Sequence, residues 1–141
     1  MPYATQQNLI DRFGAQELQR LSDRATPRAG AIDSTVVASA LASAEALANS
    51  YLAVRMTTPV TPVPLALTDA VCDIARYKLF TGVPPDDVVN RFGAATKWLV
   101  QVGAGTAALG DLAAPTKAPS PGAPKFTGAP RRFTSRSMQE F

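Results

Sequence analysis

The chain has 141 residues, 46% of them hydrophobic, and a formal net charge of +3 with no histidine. That length holds one compact domain and an appended segment, and the apolar share is too high for a wholly disordered chain. Without histidine the commonest general base and the commonest transition-metal ligand are both missing, which weighs against hydrolytic and metalloenzyme chemistry.

No apolar run reaches the roughly 18 residues of a membrane span. The opening MPYATQQN has no basic stretch leading into an apolar core, so neither a span nor a secretory signal is expected. A lone cysteine, Cys72, has no internal disulfide partner and reads as a small core residue of a cytosolic protein. The charge is unevenly spread. Residues 1–112 carry nine basic and ten acidic side chains, whereas 113–141 carry five basic residues, Lys117, Lys125, Arg131, Arg132 and Arg136, against Glu140. The basicity belongs to the C-terminal segment, which suits an acidic surface or a nucleic acid.

Thr5 is placed to cap a first short helix, with Leu9, Ile10 and Phe13 facing inward. Gly14 interrupts it, and Ala15 to Leu21 resumes with Leu18 and Leu21 apolar. Ser22 to Ala31, with Asp23, Pro27 and Gly30, reads as a surface loop. Asp33 or Ser34 then caps the strongest helix. Val37, Leu41, Ala44, Leu47, Ala48, Tyr51 and Leu52 recur at three- and four-residue steps. Its many alanines favour helix and permit close helix–helix approach.

Pro59, Pro62 and Pro64 predict a stiff, extended linker, with Pro64 near the start of the next helix. There Leu67, Val71, Ile74 and Ala75 form the buried side, completed by Tyr77 and Leu79. Pro84-Pro85-Asp86-Asp87 opens a last helix, because proline suits the first turn and carboxylates suit the positive end of the dipole. Val88, Phe92, Ala95, Leu99 and Val102 form its core face, and Gly103 and Gly105 are expected to end it. The predicted class is all-α, a small bundle of four to five helices over residues 1–112. Residues 113–141 follow as a Pro-rich, basic, extended C-terminal arm that cannot build its own core.

Candidate chemistry is sparse. Gly103-Ala104-Gly105-Thr106-Ala107-Ala108 matches a dinucleotide fingerprint, but the preceding residues have helical rather than strand periodicity and no second strand follows. Asp69 and Asp73 lie one helical turn apart without histidine or further carboxylates nearby. Asp69 suits a first turn, and Asp73 is expected to pair with Arg76 or Lys78. Asp86-Asp87 reads the same way. No catalytic, cofactor or metal site is expected. In the arm, Lys125-Phe126-Thr127 is echoed by Arg132-Phe133-Thr134, and Phe141 ends the chain. Such basic–aromatic pairs can stack on bases and hold phosphates, or anchor an extended strand in apolar pockets of a protein with a charged rim. They also suit a merely solvated terminus.

Tyr3-Ala4-Thr5, Leu9, Arg12-Phe13-Gly14, Glu17-Leu18 and Leu21-Ser22-Asp23 open a pattern that continues through Ala48, Tyr51-Leu52, Arg55, Pro59 and Val63-Pro64. It runs on in Asp73-Ile74-Ala75-Arg76-Tyr77, Arg91-Phe92, Ala95, Trp98-Leu99, Gly105 and Leu109-Gly110. In order and spacing these residues resemble the Mu-like phage and prophage head–tail connector family over most of residues 3–110. Arg55-Met56 stands where that family has Arg-Tyr, and the resemblance carries no residue beyond Leu112.

The resemblance implies a helical, non-enzymatic adaptor in the virion neck, assembled in the host cytoplasm. It implies a homo-oligomeric ring, expected to be twelvefold, stacked beneath the portal protein and extending the DNA channel. A stopper or tail-terminator protein would meet its tail side, and packaged DNA would be touched non-specifically in the lumen. Connectors of this class embrace the portal with C-terminal arms, so Lys125, Phe126, Arg131, Arg132, Phe133, Arg136 and Phe141 become the expected contacts with portal or neighbouring subunit. The alternative from charge alone is a small nucleic-acid-binding protein that uses the same arm.

Overall fold

The structure, a computed structural model, describes residues 2–110. The expected boundary at 112 and the arm 113–141 lie outside the described residues. Within them the chain is all-helical: α1 (Gln6–Phe13), α2 (Ala15–Ser22), α3 (Ser34–Leu52), α4 (Leu65–Leu79) and α5 (Asp86–Ala104). No helix among the described residues is long and apolar enough to cross a membrane.

Local chemistry sets most helix ends. The Thr5 hydroxyl accepts from Asn8 N–H while the Asn8 side chain accepts from Thr5 N–H, a reciprocal capping box that starts α1. Asp33 caps α3 by accepting from Thr35 N–H and Val36 N–H. Pro64 and Pro85 precede α4 and α5, where a missing N–H costs nothing. Gly105 ends α5 in the left-handed conformation, φ 79°, which suits a residue without Cβ. Gly103, expected to help end α5, is instead inside it.

The bundle is built on α4, which packs against both α3 and α5, while α3 and α5 also meet. Val37, Ala44, Ala48 and Leu52 from α3, Leu67, Val71, Ile74 and Ala75 from α4, and Leu99 from α5 are fully buried in the shared core. Each of these lies on the apolar stripe its helix displays in sequence. Helices α1 and α2 lie across α3, and α1 also reaches α4.

The N-terminal residues and the proline linker are tied into this core by one side chain. Tyr3, 3% exposed, donates through its hydroxyl to Asn49 Oδ1 (2.5 Å), and the same hydroxyl accepts from Val60 N–H (2.9 Å). Its own N–H donates to Glu45 Oε1 (2.6 Å), and its carbonyl accepts from Thr68 Oγ1 (2.9 Å). The linker is therefore not the extended spacer its prolines suggest. It bends through residues 53–62 and buries Val60, because Tyr3 satisfies the Val60 amide inside the protein. Ser22 likewise departs from its expected place in a surface loop. It is the last residue of α2, fully buried, and its hydroxyl accepts from Asp33 N–H.

Candidate interaction surfaces

Two arginines join the outer helices to the bundle. Arg12, at the end of α1, bridges Asp69 (2.5 Å) and Asp73 (3.1 Å) on α4. Arg76 on α4 bridges Glu17 on α2 (2.7 Å) and Asp87 on α5 (3.2 Å). The Phe13 ring lies beneath both guanidinium groups, 4.7 Å from Arg76 and 5.7 Å from Arg12. Next to Arg76 on α4, Tyr77 stacks on Phe92 of α5 with centroids 4.2 Å apart. Ionic, cation–π and aromatic contacts thus fasten α1, α2 and α5 to one side of α4.

Every charge of this hub has an opposite charge beside it. Partial burial opposes the charged form of Arg12, but the fields of Asp73 and Asp69, with hydrogen bonds to both, outweigh it and hold the guanidinium above its ordinary pKa. Asp73 Oδ1 is buried without a hydrogen-bond partner, and Arg91 approaches it at 3.9 Å. The expected pairing of Asp73 with Arg76 or Lys78 does not form. Arg12, distant in sequence, takes that place, and Arg76 turns to Glu17 and Asp87. Both aspartates are committed to arginine, and no group of three or more metal-ligating side chains occurs among the described residues. Cys72 is buried on α4, and burial pushes its thiol up to about 11, so the thiolate nucleophile is scarce at neutral pH. Trp98 to Val102, which would be the strand of a dinucleotide site, belong to α5.

Two depressions lie along α3 among the described residues. One, about 350 Å³, is lined by Ala4, Val37, Ala38, Leu41 and Ala42 with Glu45 at its edge. The other, about 440 Å³, is lined by Arg24, Lys78 and the α3 residues Thr35, Val36, Ser39, Ala40 and Ser43. Lys125, Phe126, Arg131, Arg132, Phe133, Arg136 and Phe141 lie outside the described residues. The α3 trough was missed from sequence because Arg24 reaches it from the α2–α3 connection and Lys78 from the last turn of α4. Only the hydroxyl spacing Thr35, Ser39, Ser43 was visible as a signal.

The hub gathers residues that the sequence pattern had strung along the chain: Arg12, Phe13, Glu17, Asp73, Arg76, Tyr77, Arg91 and Phe92. A family model described as Bacteriophage Mu, Gp36 matches residues 3–127. The chain belongs to this phage protein family. Gene product J of Escherichia phage Mu is 33% identical over 102 residues, covering 72% of each chain. The Mu-like prophage FluMu protein gp36 of Haemophilus influenzae is 31% identical over 108 residues, covering 77% of this chain and 75% of the relative. The Gp36 match runs past Leu112 to Thr127, so it takes in Lys125 and Phe126, beyond the residues that carried the resemblance in sequence. In this Gp36-family chain the motif residues with the strongest individual chemistry hold helices together.

Proposed function

We propose that this Gp36-family chain is a structural protein of the virion, without catalytic activity, that forms a ring between the portal and the tail. The observation that carries the reading is the match to the Mu Gp36 family over residues 3–127. The five-helix body supports it. Its partly buried charges are paired with one another, its thiol is protonated, and Gly103 lets α5 approach the α3 backbone closely. Those are properties of a packing unit.

A ring needs two unlike faces on each subunit, so that a heterologous contact closes by rotation. In this reading the twelvefold ring sits beneath the portal protein in the virion neck and extends the DNA channel. A stopper or tail-terminator protein binds its far side. The basic–aromatic arm, with Lys125, Phe126, Arg131, Arg132, Phe133, Arg136 and Phe141, grips the portal or the adjacent subunit.

Quantitative mass spectrometry of purified virions tests the reading by counting this chain against the portal protein. A ratio near one is expected. Absence from mature particles would overturn the ring and bring forward the alternative, a nucleic-acid-binding protein that works through its basic arm.

A further inference from the structure

The trough of about 440 Å³ on α3 differs in chemistry from the rest of the body. One wall is a row of exposed hydroxyls, Thr35, Ser39 and Ser43, each one helical turn from the next. Val36 and Ala40 form the floor. Arg24, from the α2–α3 connection, and Lys78, from the last turn of α4, stand over it. Arg24 is steadied by donating through Nη2 to the Leu79 carbonyl at 3.4 Å, among the free carbonyls that end α4. Among the described residues neither cation enters a salt bridge, and the two are brought together over one depression. No carboxylate lines the trough. The acids nearest in sequence are engaged elsewhere: Asp23 accepts from Ala25, Ala29 and Gly30 amides, and Asp33 from Thr35 and Val36 amides.

We propose that this trough binds the sugar–phosphate backbone of nucleic acid, with Arg24 and Lys78 meeting phosphates and the hydroxyls of Thr35, Ser39 and Ser43 donating to their oxygens. Arginine, lysine, serine and threonine are the side chains that make such contacts, and they carry no sequence preference. The shape favours a polyanion over a single ion. At roughly 1.5 Å of rise per residue, the row from Thr35 to Ser43 is about 12 Å long, more than one phosphate occupies. The floor offers no donor for reading a base edge. In the ring reading, on which the location of the contact rests, this face of α3 would line the channel. The binding itself is a property of the chain alone.

The test uses the full-length chain and a short DNA duplex of arbitrary sequence, with affinity measured by fluorescence anisotropy across a salt series. Removing both cations in an Arg24→Ala/Lys78→Ala variant should weaken binding and flatten the log–log salt slope by about 1.8, since each neutralised phosphate contributes about 0.9. A Ser39→Asp/Ser43→Asp variant, which keeps both cations, should also weaken binding through like-charge repulsion. All four positions are solvent-exposed, and circular dichroism checks that each variant folds. The arm is intact throughout, so its own contribution is common to all proteins compared.

Failure of the wild-type chain to bind duplex at low salt, or equal affinity and slope in both variants, would overturn the proposal. Inorganic phosphate added at constant ionic strength separates the two sources of the anion. Its binding in the trough while the variants hold duplex as well as wild type would equally overturn it. So would loss of docking to a protein partner with duplex binding unchanged. The ring stands or falls apart from this. A normal ratio of chain to portal in virions with an unchanged salt slope removes the trough alone, and a flattened slope in a chain absent from virions removes the ring alone.

Discussion

Gly103 on α5 lies against the backbone of Tyr51 on α3, so close that a methyl group at position 103 would stand 2.6 Å from the Tyr51 carbonyl oxygen. The absence of a side chain there sets how near the two helices approach. Gly103→Ala brings two opposed effects. Alanine favours helix over glycine by about 1 kcal/mol, whereas overpacking a tight contact costs about 1–3 kcal/mol. The neighbour is backbone and cannot rotate away, so a net loss of stability and a lower thermal midpoint are expected. A midpoint equal to or above wild type would mean that α3 and α5 separate freely.

Arg76 has 14% of its side chain exposed and holds Glu17, Asp87 and the face of Phe13 at once. Arg76→Ala should cost about 2–3 kcal/mol in urea denaturation, the range for lost hydrogen bonds to charged groups with a partly buried partner left behind. Arg76→Lys should recover only part of this, because an ammonium cannot reproduce the planar fork. Full recovery by lysine would reduce the contact to simple charge.

The 23–30 connection depends on the ionised form of Asp23. Hydrogen bonds from the Gly30 and Ala29 amides, followed by Ala25, hold its carboxyl below the ordinary 3.8. A depressed folded pKa contributes stability above the unfolded value and loses it as pH falls through the folded one. The protection of the Ala29 and Gly30 amides, taken relative to their intrinsic exchange rates at each pH, should therefore be high at about pH 6 and fall as pH drops below the ordinary 3.8. In Asp23→Ala that protection should be low at both, and pH-independent protection in wild type would contradict the assignment.

Cys72 should resist thiol reagents. Its thiol is buried and pushed up to about 11, so at pH 8 the reactive thiolate is both rare and shielded. Labelling by a chromogenic disulfide should be slow in buffer and immediate in denaturant. Rapid labelling of the native chain would show that α4 opens readily.

Much of this architecture could be read in advance. The 3.6-residue stripes of α3, α4 and α5 named Val37, Ala44, Ile74, Leu99 and Val102 as core, and all are buried. Thr5, Asp33, Pro64 and Pro85 marked helix starts because capping acts over three or four residues. The candidate site was less legible. The arm that drew attention in sequence lies outside the described residues. Of the hydroxyl–cation trough only the Thr35, Ser39, Ser43 spacing was legible, because Arg24 and Lys78 are brought to it only by packing.

The sequence by itself determined where helices form, which stripe of each is apolar, and the kinship with Mu proteins, since these depend on local spacing and order. The tertiary structure decided the partners. Asp73 found Arg12 rather than its own helix neighbours, Tyr3 drew the proline linker inward, and Gly103 became a contact rather than a stop. Each of these joins residues dozens of positions apart. Such choices depend on which surfaces the packed helices bring within a few ångströms, a distance that sequence separation does not encode.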